Sequence, residues 1–178
     1  YLAGDARYRV PKVYDEFSTT DALVMSLENG VPIETTRDWP ADHRNRIAQD
    51  LVDLVLREVF EFNHVQTDPN LANYLIDPDT HQLILLDFGA CARISETSLN
   101  VYQTLLNAGI TLEPDRIKRV FLDHNLLPPE LNSAEDAFVD QVLKTVTAEL
   151  GAADTFSLEN SRVFDLLDLN DVKLYTAL

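Results

Sequence analysis

Apolar and polar positions divide the chain into a strand-bearing first part and a helical remainder. Val10-Pro11-Lys12-Val13-Tyr14 is β-branched and aromatic, and Pro11 suits an edge position or a strand start. Ala22 to Leu27 reads as a second strand, paired antiparallel with the first across Asp15 to Asp21, and Glu28-Asn29-Gly30 ends it. The polar residues before Val10, Tyr1 to Arg9, are expected to fray. Asp38-Trp39-Pro40-Ala41-Asp42 is a helix start, with an acid cap and an early proline. From Arg44 to Phe62 the positions Ile47, Leu51, Leu54, Val55 and Phe62 keep helical spacing, with Glu58 as a polar exception. Val52, Leu56, Val59 and Phe60 widen that stripe, which predicts a helix buried over much of its surface. His64, just after it, reads as a structural hydrogen-bonder.

Two shorter apolar runs follow, Leu75-Ile76 and Leu83 to Leu86, separated by the turn formers Asp77 to Gln82. That spacing predicts a β-hairpin. Beyond it the helical period returns. Ser95-Glu96-Thr97 starts a helix over Leu99 to Ala108 that Gly109 ends. Glu113-Pro114-Asp115 starts another, running to about Asn125, with Ile117, Val120 and Phe121 inward. Ser133-Ala134-Glu135-Asp136 has capping-box form. The helix after it turns Phe138, Val142, Leu143, Val146 and Leu150 inward, and Gly151 stops it. Val163 to Leu167 forms a further short helix. The pattern is α+β and mainly α.

The 178 residues suffice for one domain with a real core, or one lobe of a larger one. Fourteen basic residues stand against 30 acidic ones, a net charge of −16. That argues against nucleic acid and anionic membrane surfaces, which reward basic patches. A single cysteine, Cys91, rules out an internal disulfide and any multi-cysteine metal site; it reads as a small residue near a turn. No apolar run approaches the roughly 20 residues that span a bilayer.

Candidate chemistry gathers at the ends of the hairpin. Asp68 and Asn73 lie on the loop entering it, five positions apart, and Asp87 follows its second strand. The hairpin returns all three to the same end. Pro69 keeps Asp68 on extended chain, and Gly89 lets the backbone turn just after Asp87. Two carboxylates and an amide oxygen suit a hard cation such as Mg2+, which keeps waters and takes its other ligands from phosphates. The layout is that of phosphoryl transfer: Asp-x-x-x-x-Asn on a loop, then Asp-Phe-Gly after a strand. Without a ligand, the same acids could simply cap turns.

Protein kinases place His-Arg before the catalytic acid, where Gln66-Thr67 stand here. Gln-Thr-Asp-Pro-Asn-x-x-Asn followed by Leu-Asp-Phe-Gly-Ala resembles the UbiB (AarF) family of atypical kinases, which support ubiquinone biosynthesis. The resemblance runs from about Val10 to Ala92. It implies a protein-kinase-like large lobe carrying the catalytic-loop hairpin, residues 31–178. Residues 1–30 would then be the last two strands of the small lobe and the hinge. It implies ATP and Mg2+ as cofactors. Met25, Ser26 and Leu27 would contact adenine, Asn73 and Asp87 would bind metal, and Asp68 would orient or deprotonate the acceptor. The implied partners are a nucleotide and lipid-soluble quinone precursors or other ubiquinone-biosynthesis proteins, with no nucleic acid. The implied location is cytoplasmic or peripheral at the inner membrane, on the matrix side in a mitochondrion. An Ala-Pro-Glu signal is lacking after Asp-Phe-Gly, which favours a small-molecule acceptor or ATP hydrolysis over a peptide. The five glycines and four lysines supply no phosphate loop with its lysine, so those parts are expected before Tyr1 and the fragment alone is expected to be nearly inactive. Two rivals remain: a small-molecule phosphotransferase of the aminoglycoside or choline kinase type, and a non-catalytic kinase-like scaffold.

Overall fold

The computed structural model describes residues 1–152 and 161–166. The chain forms two compact units, Tyr1–Ile94 and Ser95–Leu178. Leu167, the end of the last expected helix, lies outside the described residues.

The first unit is built on the expected hairpin. Strands β1 (Tyr8–Arg9), β2 (Val31–Pro32), β4 (Tyr74–Ile76) and β5 (Leu83–Leu85) form one sheet in the order β1-β5-β4-β2. The hairpin β4–β5 is antiparallel, with Ile76 opposite Leu83 and Tyr74 opposite Leu85. Asp77 shapes its turn: its Oδ1 accepts the N–H groups of Asp79 and Thr80, each at 3.0 Å. Arg9 closes on the same carboxylate at 2.7 Å. These bonds hold the Asp77 carboxyl down at about 2, the backbone donors contributing most.

Ile76, Leu83 and Ile84 are fully buried, because the two hairpin strands are interior strands covered on both faces. On one face Tyr8, Ile76, Leu83 and Leu85 meet Ile47 and Leu54 of α1 (Ala41–Arg57). Burying a side chain of this size contributes about 1.5–3 kcal/mol, so this junction is the main stabiliser of the unit. On the other face Gly30 passes very close to Leu75 and Ile84. After Arg57 the helix widens into a π turn, Glu58–Phe62, closed by the Asn63 N–H donating to the Glu58 carbonyl. Asn63 leaves it in the left-handed region, φ 54°, and starts β3 (His64–Gln66). The partner of β3 is β6 (Cys91–Arg93), antiparallel, pairing Gln66 with Cys91. His64 is indeed a structural group: its Nδ1 lies 3.1 Å from the Phe62 carbonyl.

Several expectations need correction here. The first nine residues do not fray. Tyr8 is 5% exposed and its hydroxyl donates to the Asp50 carbonyl at 2.8 Å. Arg7 joins Asp5 at 2.7 Å and Asp53 at 2.8 Å, and Arg57 joins Asp5 at 2.8 Å. A polar composition hid this ion-pair network, which fastens the segment to α1. The two strands expected over Val10–Tyr14 and Ala22–Leu27 reduce to one antiparallel bridge, Val13 with Met25. The α1 N-cap is Pro40, with no side-chain cap, because Asp38 is taken up in a preceding 3-10 turn, Ile33–Asp38. The wide α1 stripe is not wholly covered: Val52 is 60% and Val55 52% exposed. A turn does follow Asp87, closed by Cys91 N–H to the Phe88 carbonyl at 3.2 Å, but Gly89 needs no positive φ for it.

The second unit is helical: α2 (Glu96–Ile110), α3 (Pro114–Asp123), α4 (Ser133–Ala152) and α5 (Val163–Leu166). Ser95 caps α2 by accepting the Ser98 N–H at 3.0 Å. Gly109 lies inside α2 and Gly151 inside α4; neither stops its helix. The core joins Ala108, Ile117, Val139 and Leu143, with Leu105 and Phe121 against it. The buried line of α4 is Val139, Leu143 and Thr147, so Leu150 falls outside it. Its cap is Asn132, one residue before the expected Ser133. The Asn132 Oδ1 accepts the Ala134 and Glu135 N–H groups at 2.9 and 3.0 Å, and Glu135 accepts the Asn132 N–H at 2.9 Å. Lys118 of α3 bridges to Asp136 and Asp140 of α4 at 2.7 and 2.6 Å.

Candidate active site

From His64 to Arg93 the chain of the first unit makes a closed ribbon. It leaves β3, loops into β4, turns back along β5, passes Asp87 and returns through β6 to pair with β3. Both acidic motifs lie where this ribbon passes from one ladder to the other. The Thr67 N–H donates to the Ala90 carbonyl at 3.1 Å, and Leu86 N–H to the Asn73 carbonyl at 3.0 Å. The loop between them is tightened by Asn70, which caps a short 3-10 turn, Leu71–Asn73, by accepting the Ala72 N–H at 3.0 Å.

Asn73 and Asp87 line one small hollow of about 10 Å³, floored by Leu54 and Leu85. That is about the space of one water-sized sphere. Glu58 and Gln66 line it as well. Asp68 does not; it is exposed on the loop. Asp87 spends its Oδ1 on the Gly89 N–H at 2.7 Å. Glu58 accepts the Gln66 N–H at 3.3 Å, and burial pushes its carboxyl above the usual range, with that N–H pulling the other way. The arrangement can offer a cation oxygen donors from Asn73, Asp87 and Glu58. Among the described residues no three His, Cys, Asp or Glu side chains converge on a metal position.

The family model for the ABC1 atypical kinase-like domain matches residues 1–121, more than half the chain. The chain belongs to this family. Its similarity extends to named atypical kinases. It is 38% identical over 143 residues to the mitochondrial atypical kinase COQ8B of Rattus norvegicus, covering 80% of this chain and 27% of that protein. It is 30% identical over 166 residues to the mitochondrial atypical kinase COQ8 of Saccharomyces cerevisiae, covering 92% of this chain and 33% of that one. To the probable serine/threonine-protein kinase abkA of Dictyostelium discoideum it is 32% identical over 110 residues, covering 61% of this chain and 20% of that protein. The chain therefore spans about a quarter to a third of the first two relatives. The resemblance to UbiB-type atypical kinases, carried by the Gln66 to Asn73 and Leu86 to Ala90 motifs, is borne out at the level of family.

In this ABC1-family chain the expected adenine residues stand apart from the hollow. Leu27 is 90% exposed and lines a different cleft of about 390 Å³, with Arg9, Glu28, Asp77 and Pro78. Ser26 is engaged locally: its hydroxyl donates to Glu28 at 2.6 Å and accepts the Lys12 N–H at 2.9 Å. The single bridge runs through Val24 and Ser26, whose partners are Tyr14 and Lys12, so the main chain of Met25 faces away from that pairing. Met25, Ser26 and Leu27 are thus not among the described residues that line the hollow of Asn73 and Asp87.

One residue in the hollow escaped the sequence reading. Glu58 was visible only as the polar member of an apolar helical stripe, a place where a charge needs a reason. Gln66, at the start of the Asp68 motif, was expected with Thr67 and Asn70 to hold the loop by side-chain hydrogen bonds or merely to stabilise its turn, and its side chain does bond the Asp68 N–H and the Asp87 carbonyl. Cys91 is exposed on β6 rather than packed. Desolvation, then the Glu58 and Asp87 carboxylates, hold its thiol above the ordinary value, so at neutral pH it is a poor nucleophile.

Proposed function

We propose that this chain is the catalytic-loop part of an ABC1-type atypical kinase or ATPase that binds Mg-ATP and serves ubiquinone biosynthesis. The observation that carries the proposal is the shared hollow of Asn73 and Asp87, placed by the ribbon that also presents Asp68. The residues fit a magnesium ion: the donors are hard oxygens, the space is ion-sized, and the few protein ligands leave room for phosphate and water. Bound there with a nucleotide, Mg2+ would neutralise charge developing on the transferred phosphoryl group. Asp87, whose second carboxylate oxygen is left over from the bond to Gly89, and Asn73, with its side-chain carbonyl, would hold that ion. Asp68, exposed on its loop, orients the acceptor hydroxyl or water and takes its proton. Met25 offers an outward main-chain N–H and carbonyl, the pair that an adenine edge needs, with Ser26 and Leu27 beside it.

In this reading residues 1–30 are the end of a small lobe and its hinge, and residues 31–178 the large lobe. The relatives' names favour an atypical kinase over an aminoglycoside-type phosphotransferase. The mitochondrial label of COQ8 relatives favours a place beside the inner membrane, with quinone precursors or their enzymes as partners. Among the described residues no helix is long and apolar enough to cross a membrane.

Paramagnetic Mn2+ standing in for Mg2+ tests the site directly. With a non-hydrolysable ATP analogue, Mn2+ should broaden the amide resonances of Asn73, Asp87 and Gly89 first, and Asp87→Asn should abolish the effect. Broadening confined to other acidic segments would refute the assignment. The isolated chain is expected to turn ATP over slowly or not at all, having no phosphate loop with its lysine among its residues. Brisk turnover lost in Asp87→Asn would overturn that part.

A further inference from the structure

We propose that Gln66 is a positioning residue, whose side-chain amide fixes Asp87 and the Asp68 loop relative to one another. The inference rests on the roles proposed above for those two acids. The Gln66 Nε2 donates to the Asp87 main-chain carbonyl at 2.8 Å, across 21 residues of chain. Its Oε1 accepts the Asp68 N–H at 3.2 Å. The residue is itself held on two sides: its own N–H donates to Glu58 at 3.3 Å, and its backbone pairs with Cys91 in the β3–β6 ladder.

An amide suits this task because it carries a donor and an acceptor on one rigid plane. A carboxylate has no donor for the Asp87 carbonyl, and an aliphatic side chain has neither group. Both bonds go to main-chain atoms, so the clamp leaves the Asp68 and Asp87 carboxylates free for ligands. Turn stabilisation alone would require only the local bond to Asp68. The second bond, to Asp87 two residues after β5, serves no turn; it links the two motifs.

Gln66 would thus act on a bound ion by fixing Asp87, and residues that orient a metal ligand typically set metal affinity by about 10–100-fold. The test uses the intact chain, Mn2+ and a non-hydrolysable ATP analogue. It reads the Mn2+ concentration that half-broadens the Gly89 amide, together with the melting temperature without metal. Gln66→Glu keeps the size and the Asp68 acceptor but loses the donor, so it should need roughly 10-fold more Mn2+ or beyond. Gln66→Leu should need at least as much, and Gln66→His, which can still donate to the Asp87 carbonyl, should recover part of the loss. All three should melt within a few degrees of the parent. If Gln66→Leu does not fold, Gln66→Glu decides alone. Wild-type Mn2+ response in Gln66→Glu overturns the clamp and leaves the site assignment standing. No response at Asn73, Asp87 or Gly89 in the unaltered chain overturns the site assignment, and the clamp with it.

Discussion

Gly30→Ala should destabilise the first unit, although the change adds one methyl group to an irregular segment. A Cβ at position 30 would lie 2.8 Å from the Leu75 Cβ, 2.9 Å from the Ile84 Cδ1 and 3.2 Å from the Ile76 carbonyl oxygen. Ordinary carbon contacts begin near 3.5 Å, so the new methyl intrudes by ~0.7 Å. None of its neighbours can yield easily. The Leu75 Cβ moves only with its backbone, which is paired to both Pro32 and Ile84. Ile84 is fully buried, so its Cδ1 can move only against close-packed neighbours. Overpacking of this kind costs about 1–3 kcal/mol. Removing a glycine restricts the unfolded chain and returns about 0.4–1 kcal/mol. The net loss should be about 1–2 kcal/mol, read as a lower urea midpoint at unchanged slope. Gly109→Ala is the matched control. Nothing lies within 4 Å of a Cβ there, and the position is helical, so alanine should stabilise by up to about 1 kcal/mol. The reasoning fails if Gly30→Ala is as stable as the parent, or if the two substitutions shift the midpoint in the same direction.

Two further substitutions probe features that the sequence pattern placed imperfectly. Asn132→Ala removes the true cap of α4 and should cost about 1 kcal/mol by thermal or urea unfolding. Ser133→Ala, at the residue the capping-box spacing singled out, should cost clearly less. Asp77→Asn keeps an acceptor for the turn but loses the charge facing Arg9. Because the Asp77 carboxyl is held down from 3.8 to about 2, its ionic contribution is complete above about pH 4 and fades as the pH falls through 2. Melting curves of parent and variant should therefore differ at pH 7 and converge between pH 4 and pH 2; a constant gap would count against the ion pair.

The hairpin and the helices were legible because each is specified locally. Leu83 to Leu86 can only be a short buried strand beside the turn formers Asp77 to Gln82, and Ile47 to Leu54 keeps a helical period. The family was legible from two motifs in order. What escaped was set by distant partners. Tyr8 and Arg9 carry no strand signal of their own; they are ordered by β5, more than 70 residues away, by the Tyr8 hydroxyl donating to the Asp50 carbonyl of α1, and by the neighbouring Arg7, which pairs with Asp53 of α1. Val10 to Leu27 has strand composition, yet it keeps one bridge where two strands were expected. Gly109 and Gly151 read as stops because glycine often ends helices; α2 runs to Ile110 and the described part of α4 to Ala152, each one residue past its glycine. In the site, spacing indicated that Asn73 and Asp87 would meet. It could not show that Asp68 would stay outside their hollow while Glu58 entered it.

In a chain with 30 acidic residues, what separates a structural acid from one available for chemistry is how its oxygens are used. The Asp77 carboxylate meets two N–H groups and Arg9, and that of Asp5 meets Arg7 and Arg57. Both are committed to holding the fold. Asp87 gives one oxygen to Gly89 and is otherwise fixed through its main-chain carbonyl. Asp68 is fixed through its N–H and carbonyl, which bond to Gln66 and Asn70. Their positions are therefore determined by backbone bonds, and reorganisation on binding a ligand need not break any of them. An acid anchored by its main chain and left with free oxygens meets the requirement for a preorganised ligand or base; Asp79 of the hairpin turn, whose N–H donates to Asp77, meets it as well, so what singles out Asp87 is that it also lines the hollow with Asn73.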